Sequence, residues 1–347
     1  PNSLLTRRWN ADLEGLKDKS LSACVQSLVG AMVDEFAHPM EIDEALQIWG
    51  VTHHYDKIKR EDFRQGAILK AYQHTVSHGN FLECAMASLQ ASNMSSYIQF
   101  GISSVDASID GVNQGEMCLI MARPGHGKST FGCQWLENAS KTGHQSLMLQ
   151  AEMSATEMGR RSLMKITGLA ESEWEGNREE IKKKVAAYYD GWSPPHFRNV
   201  TSIEDVEREV VAFKDGYGIS AVVIDYVQLL RSSKSSRYEC VTDISQRLKV
   251  LAREQNVAMV ALCQASREVE HRRKIEFLAS DLKESGSLEQ DADIIAGLYW
   301  WGRSNNKQSN PNCADLQIIK RRNGPIREPS IRLLFNAERQ TFDNWNI

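Results

Sequence analysis

Several residues of this chain stand where they could hold and attack a phosphate. Lys128 and Ser129 close the run Ala122-Arg123-Pro124-Gly125-His126-Gly127-Lys128-Ser129, and Glu152, Asp225 and Gln264 each follow or end an apolar stretch. A triphosphate calls for closely spaced backbone N–H donors, a helix N-terminus aimed at it, a lysine for its outer oxygens and a hydroxyl for Mg²⁺. Gly125 and Gly127 let the backbone approach, Lys128 carries the charge and Ser129 supplies the hydroxyl. The expected cradle is therefore Arg123, Pro124, Gly125, His126, Gly127, Lys128, Ser129 and Thr130, with Ala122 where the usual G-x-x-x-x-G-K-[ST] pattern begins in glycine. Asp225 fits the partner of Mg²⁺ and its water, Glu152 the group that orients and deprotonates the attacking water, and Gln264 a contact that senses the terminal phosphate. A bland role competes for each acid: a strand-end cap for Asp225, and for Glu152 a helix N-terminal carboxylate favoured by the dipole.

Such residues need elements that bring them together. Residues 117–121 read as a buried strand and a helical pattern starts at Thr130, ending at Thr142-Gly143. Residues 145–150 read as the next strand, which delivers Glu152 beside the capping box Ser154-Ala155-Thr156-Glu157 and a helix through about Ile166. Residues 172–191 form a charged helical pattern and 203–213 another; 221–225 and 257–263 are apolar strands, separated by the helical stripe Val241, Ile244, Leu248 and Leu251. After an apolar strand at 294–300, residues 314–322 and 326–335 flank Asn323-Gly324, the sequence of a two-residue hairpin turn, with Lys320-Arg321-Arg322 at its tip. Three adjoining cations there repel one another unless they face phosphates, a carboxylate or water.

Strands alternating with helices from Tyr97 onward predict one α/β domain over 97–347, with a mostly parallel sheet and its acids at the same edge as the phosphate loop. Upstream, Leu21, Val25, Leu28, Val29, Met32, Val33 and Phe36 share one helix face ended by His38-Pro39. With shorter helical patterns behind it, this predicts a small all-α domain over 1–78 and a linker helix over 79–96. His53-His54 has no third ligand in view and carries no metal assignment.

Composition limits the partners. The net charge is −4, and 9 Lys+Arg against 12 Asp+Glu in the first 95 residues leave 32 against 33 for the rest, so a nucleic-acid site must be local. Seven cysteines without any C-x-x-C read as reduced packing residues, with neither zinc nor a disulfide. No apolar run is long enough to span a membrane and no signal pattern opens the chain, which points to the cytoplasm. The chain starts at Pro1 without an initiator methionine, consistent with a trimmed N-terminus. Two polar segments hold local basic charge: Arg231 to Arg237 with Lys234, and the loop of Arg267, Arg272, Arg273 and Lys274 around His271. Solvated turns are the alternative for both.

From FGISSVDASIDGVNQGEM through ARPGHGKST, QAEMS, VVIDYVQLL, ISQRLKVLAREQNVAMVALCQASREVE, DLKESGSLEQDADII and KRRNGP, the chain resembles the DnaB-like hexameric replicative helicases, whose motor is a RecA-like P-loop ATPase domain. The resemblance covers about residues 100–342. It implies ATP and Mg²⁺ as cofactors, Lys128, Ser129, Glu152, Asp225 and Gln264 in the roles given above, and Lys320 and Arg322 offered to the next subunit's nucleotide across a homohexameric ring. It further implies that the loop of Lys283, Glu284 and Gly286 holds single-stranded DNA; the local basic charge of Arg231, Lys234, Arg272 and Arg273 makes these residues further candidate DNA contacts. Lys283 is commonly arginine in the family, so a charge remains while a bidentate phosphate grip is lost. The first 95 residues do not clearly match the family's primase-binding domain, so a primase or a helicase loader stays an open partner.

The expectation is an ATP-driven 5′ to 3′ DNA helicase in a bacterial cytosol or a phage-infected host cell. Two rivals share the fold: a RecA-type recombination ATPase, which would form open filaments, and a non-translocating ring that uses ATP to assemble and hold a partner.

Overall fold

The structure, a computed structural model, describes residues 21–34, 42, 43, 45–47, 49, 64, 67 and 68, and then 97–345 apart from 273–274, 283–285 and 304–309. Contacts divide the chain into two compact units, residues 1–96 and 97–347. In the first, helix α1 (Leu21–Asp34) buries Val25, Leu28 and Val29 of the expected face, with Cys24 beside them and Met32 half-buried, while Phe36 lies outside the described residues. Buried Arg64 reaches Asp43 there, Nε to Oδ1 at 2.7 Å. The expected linker helix over 79–96 and the pair His53-His54 lie outside the described residues.

The second unit is built on a nine-stranded sheet in the order β11-β10-β9-β8-β3-β7-β6-β4-β5. Strands β3 (Met117–Ala122), β4 (Ser146–Gln150), β5 (His196–Asn199), β6 (Ala221–Asp225), β7 (Ala258–Gln264) and β8 (Ile294–Trp300) run parallel. Strands β9 (Cys313–Arg321), β10 (Ser330–Asn336) and β11 (Thr341–Asn344) extend it antiparallel. A separate two-stranded piece pairs β1 (Tyr97–Ile98) with β2 (Val112–Asn113).

Both faces of the sheet are covered, which is why β3 is apolar without alternation. Met117, Leu119 and Met121 join a core with α6 (Ile203–Tyr217) and α7 (Arg237–Glu254), through Val206, Val210, Ile244 and Leu248 among others. Cys118, Ile120 and Ala122 point the other way, against α2 (Ser103–Ile109) and α3 (Lys128–Lys141), where Phe131 and Trp135 are fully enclosed. Each enclosed large apolar side chain contributes roughly 1.5–3 kcal/mol. The six cysteines among the described residues are free thiols, five of them buried.

Several boundaries differ from the sequence expectation for local reasons. Helix α3 begins at Lys128, two residues early, because Gly127 takes a left-handed conformation (φ 85°) as its cap and puts the lysine and serine in the first turn. The charged stretch after α4 (Ala155–Thr167) is two short 3₁₀ turns before α5 (Arg178–Tyr188). Edge strand β5 and terminal strand β11 were not expected, being short and largely polar. The hairpin keeps the register of an Asn-Gly turn, Gln317 facing Ser330 and Leu316 facing Ile331, but its arms part early, so β10 starts at Ser330 rather than at 326. Arg327 leaves the ladder to bond Asp110, Nη1 to Oδ1 at 2.6 Å.

Candidate phosphate site and the opposite sheet edge

Parallel strands that start together end together, and here the ends carry the chemistry. In register, Ala122 stands beside Gln264 and Gln150 beside Asp225. The phosphate loop after β3, Gln264 at the end of β7, Asp225 at the end of β6 and Glu152 just past β4 therefore share one edge, on four adjacent strands. The first N–H groups of α3 have no intrahelical partner and open onto this edge.

The loop glycines are fixed by conformation and space. Gly125 and Gly127 have φ of 78° and 85°; a Cβ would lie 2.8 Å from Arg303 Cζ at the first and 2.6 Å from Phe342 Cζ at the second. Arg303, which sequence reading did not single out, thus lies directly on the loop, beside the indole of Trp300. Pro124 is exposed, while Ser129 and Thr130 are half-buried, Thr130 Oγ1 donating to Gln340 Oε1 at 2.8 Å.

Two loop residues turn away from any ligand. Arg123 is buried, donates from Nη1 to Ala265 O at 3.0 Å and pairs with Glu270 of the short helix α8 (Glu268–His271), anchoring the loop to the end of β7. His126 is buried against Tyr299, with ring centroids 4.7 Å apart, and its Nδ1 accepts from Trp300 N–H at 3.0 Å. Burial holds its pKa down at about 4, so the ring is neutral and acts as an acceptor.

Asp225 is fully enclosed and bonded twice: by Lys128 Nζ and, at 3.2 Å, by Gln150 Nε2. The same ammonium lies 4.5 Å from the centroid of the Tyr226 ring. Glu152 is exposed, and its N–H donates to Gln150 Oε1 at 3.2 Å. Gln264 is held by its backbone. Its N–H donates to Gln228 Oε1 at 3.0 Å and its carbonyl accepts from Gln228 Nε2 at 3.2 Å. Among the described residues no partner engages the Gln264 carboxamide itself. Gln150 and Gln228 were missed because an amide in or after an apolar strand carries no motif signal; only their partners, 75 and 36 positions away, reveal them.

The hairpin cations lie at the other edge. Lys320 Nζ donates to the carbonyls of Glu289 and Gln290 at 2.6 and 3.3 Å, and burial, then Arg322, lowers its pKa. Arg322 reaches Gln290 O and, at 3.2 Å, Asp293 Oδ1. Arg321 bonds Asp110 Oδ2 at 2.7 Å. The three cations at the tip thus face carboxylates and the orphan carbonyls of α9 (Gly286–Asp291). Asp293, 2% exposed, is the hub: it also accepts from Met117 N–H at 2.8 Å and from Lys249 Nζ at 2.5 Å, beside the start of β3.

The expected DNA contacts are unequally placed. Arg231 and Lys234 are exposed on the loop before α7, and Gly286 opens α9. Arg272 does not face solvent as a free cation: both its terminal nitrogens donate to Asp281, at 2.5 and 2.7 Å, so it clamps its own loop. A buried carboxylate within reach outcompetes water for a guanidinium. Arg273, Lys283 and Glu284 lie outside the described residues.

Comparison with known proteins follows the same boundaries. The family described as DnaB-like helicase C terminal domain matches residues 98–344. The replicative DNA helicase DnaB of Geobacillus stearothermophilus is 32% identical over 263 residues, covering 71% of this chain and 56% of that protein. The replicative DNA helicase DnaC of Bacillus subtilis is 31% identical over 264 residues, 71% of this chain and 56% of that one. The chain thus spans little more than half the length of these relatives. Among solved structures, one ATPase domain superposes with a TM-score of 0.68 at 28% identity, covering 77% of this chain and 99% of that one. A DnaB-like replicative helicase solved with its primase interactions gives 0.65 at 24% identity over 88% and 78%, a likeness of fold. The sheet order, the loop after β3 and the match over 98–344 have one reading: the chain belongs to the DnaB-like helicase family through its C-terminal domain.

Proposed function

We propose that the chain is an ATP-dependent, ring-forming DNA helicase that moves 5′ to 3′ on single-stranded DNA and parts the duplex ahead of it. The N–H groups of residues 125–130 hold the triphosphate, and Lys128 exchanges Asp225 for the outer phosphate oxygens. Glu152, exposed beside the loop, orients the attacking water and takes its proton. Gln264 contacts the γ-phosphate through the side chain left free by the Gln228 clamp.

The residues present fit Mg²⁺. Among the described residues no three His, Cys, Asp or Glu converge to cage a metal, and one hydroxyl, Ser129, beside one enclosed carboxylate, Asp225, suits an ion that keeps its waters and takes phosphate oxygens. Bound there, it would neutralise charge on the β and γ oxygens. Backbone contact from Lys283, Glu284, Gly286, Arg231 and Lys234 of several copies gives sequence-independent binding without an overall basic surface. Among the described residues no helix is long and apolar enough to cross a membrane, and we place the protein in the cytosol of a bacterium or phage-infected cell.

One observation carries this reading: each chain holds the phosphate loop at one sheet edge and its candidate arginine finger at the other. Arg322 N–H bonds Asp293 O, and Asp293 N–H bonds Met117 O at the start of β3. The six residues of β3, rising roughly 3.3 Å each, put about 20 Å between Arg322 and its own loop, beyond an arginine's reach. A finger so placed completes a neighbour's pocket, where it stabilises charge that develops only in the transition state. The test is unwinding of forked DNA with ATP. Wild type should unwind, and Glu152→Gln should bind nucleotide yet unwind nothing. Strand exchange without unwinding would favour a recombinase; DNA-independent hydrolysis without unwinding would favour an assembly scaffold.

A further inference from the structure

We infer that Gln150 is a positioning residue for hydrolysis, whose carboxamide ties the Glu152 backbone directly to the Asp225 carboxylate; this rests on the proposed roles of those two acids. Gln150 ends β4 directly beside Asp225 and is fully enclosed. Its backbone is fastened on both sides: Gln150 O accepts from Val200 N–H at 3.0 Å, and the next N–H, of Ala151, donates to Asp225 O at 2.8 Å. Both ends of its carboxamide have partners. Nε2 donates to Asp225 Oδ2 at 3.2 Å and toward Met158 Sδ at 3.8 Å, while Oε1 accepts from Glu152 N–H at 3.2 Å.

Chemistry explains why an amide stands there. Asp225 needs a donor and the Glu152 backbone needs an acceptor, and a carboxamide supplies both without adding charge beside the acid. A thioether or hydrocarbon supplies neither, and a shorter amide cannot span both partners. Glu152 is exposed and would otherwise sample many directions. The bond to its N–H fixes the turn from which the side chain projects, so the water-orienting carboxylate keeps a set distance from the acid that serves the metal. Misplacement of about 1 Å in such a constellation costs on the order of a hundredfold in rate. Because the phosphate loop is not touched by Gln150, nucleotide affinity should be unaffected.

The experiment measures steady-state ATP hydrolysis, equilibrium binding of a fluorescent ADP and melting temperature for the full chain, its Gln150→Met and Gln150→Asn variants, and Glu152→Gln. Methionine matches glutamine in length and keeps the site filled. The expected order of kcat is wild type, then Gln150→Asn, then Gln150→Met, with Gln150→Met down by about tenfold or more. ADP affinity should stay within about twofold and KM should follow it. If Gln150→Met turns over like wild type, or if hydrolysis and ADP affinity fall together, positioning is overturned and Gln150 is a packing residue. Should Gln150→Met fail to fold, the split between kcat and affinity in Gln150→Asn decides on the same terms. Glu152→Gln separates the two levels of argument. Lost hydrolysis there with normal Gln150 variants sinks only this inference, whereas retained hydrolysis sinks the assignment of Glu152 and the inference with it.

Discussion

At the scale of single residues, the site divides into groups that a motif announces and groups that only a partner explains. Lys128, Ser129 and Asp225 stood out because the motif they belong to restricts which residues can stand there, and the structure pairs Lys128 with Asp225. Gln150, Gln228, Asp281 and Asp293 did not stand out, since each looks like an ordinary polar residue until its distant partner is placed. His126 is the instructive case: read as part of the cradle, it is turned inward as an uncharged acceptor for Trp300 N–H. Its folded pKa of about 4 lies below the ordinary 6.5, so the unfolded chain takes up a proton first as pH falls. The stability this confers is complete above about pH 6.5 and is lost progressively down to about pH 4, amounting to roughly 3 kcal/mol. His126→Asn keeps an acceptor that does not titrate in this range. Denaturant unfolding at pH 7 and pH 5 should therefore show a smaller loss in His126→Asn than in wild type; equal losses would show that other groups, such as His144, also held low by burial, account for the effect.

At the scale of elements, strand and helix identities followed from periodicity, while their ends followed from contacts that periodicity does not encode. The hairpin illustrates both. Asn323-Gly324 set the register correctly, yet the arms separate where Arg327 and Arg321 are drawn to Asp110. The loop between β7 and β8 makes the same point through Arg272, which looked available to DNA but is bound to Asp281, itself 1% exposed. Removing the guanidinium leaves that carboxylate enclosed with, among the described residues, only the Leu278 N–H donor beside it. Arg272→Ala is expected to cost about 2 kcal/mol, less than a wholly buried pair because the arginine is partly exposed. Hydrogen exchange should accelerate across residues 265–282 before any change in the salt dependence of DNA binding. Weakened DNA binding with unaltered exchange would instead return Arg272 to the DNA surface.

At the scale of the whole molecule, the parallel sheet does two things at once. It gathers the phosphate loop, Glu152, Asp225 and Gln264 at its carboxyl edge, and it carries the β9 end, with Lys320 and Arg322, to the edge beyond reach. This division was legible only in part, since the sequence supplied the strand ends but not the order in which strands lie. In the single chain Arg322 rests on Asp293 and on a carbonyl of α9, the helix that follows the loop of Lys283 and Glu284. Joining a neighbour's nucleotide thus means leaving partners tied to a segment assigned to DNA. The consequence is complementation. Arg322→Ala should bind ATP normally and lose hydrolysis by about a thousandfold, the scale of an absent finger. Glu152→Ala should be equally inactive, since its own pocket lacks the base. In a mixture, an interface between an intact Glu152 pocket and an intact Arg322 neighbour is whole, so hydrolysis should reappear and peak near equal proportions. A mixture no more active than either variant, from chains that do assemble, would mean that finger and base serve the same copy.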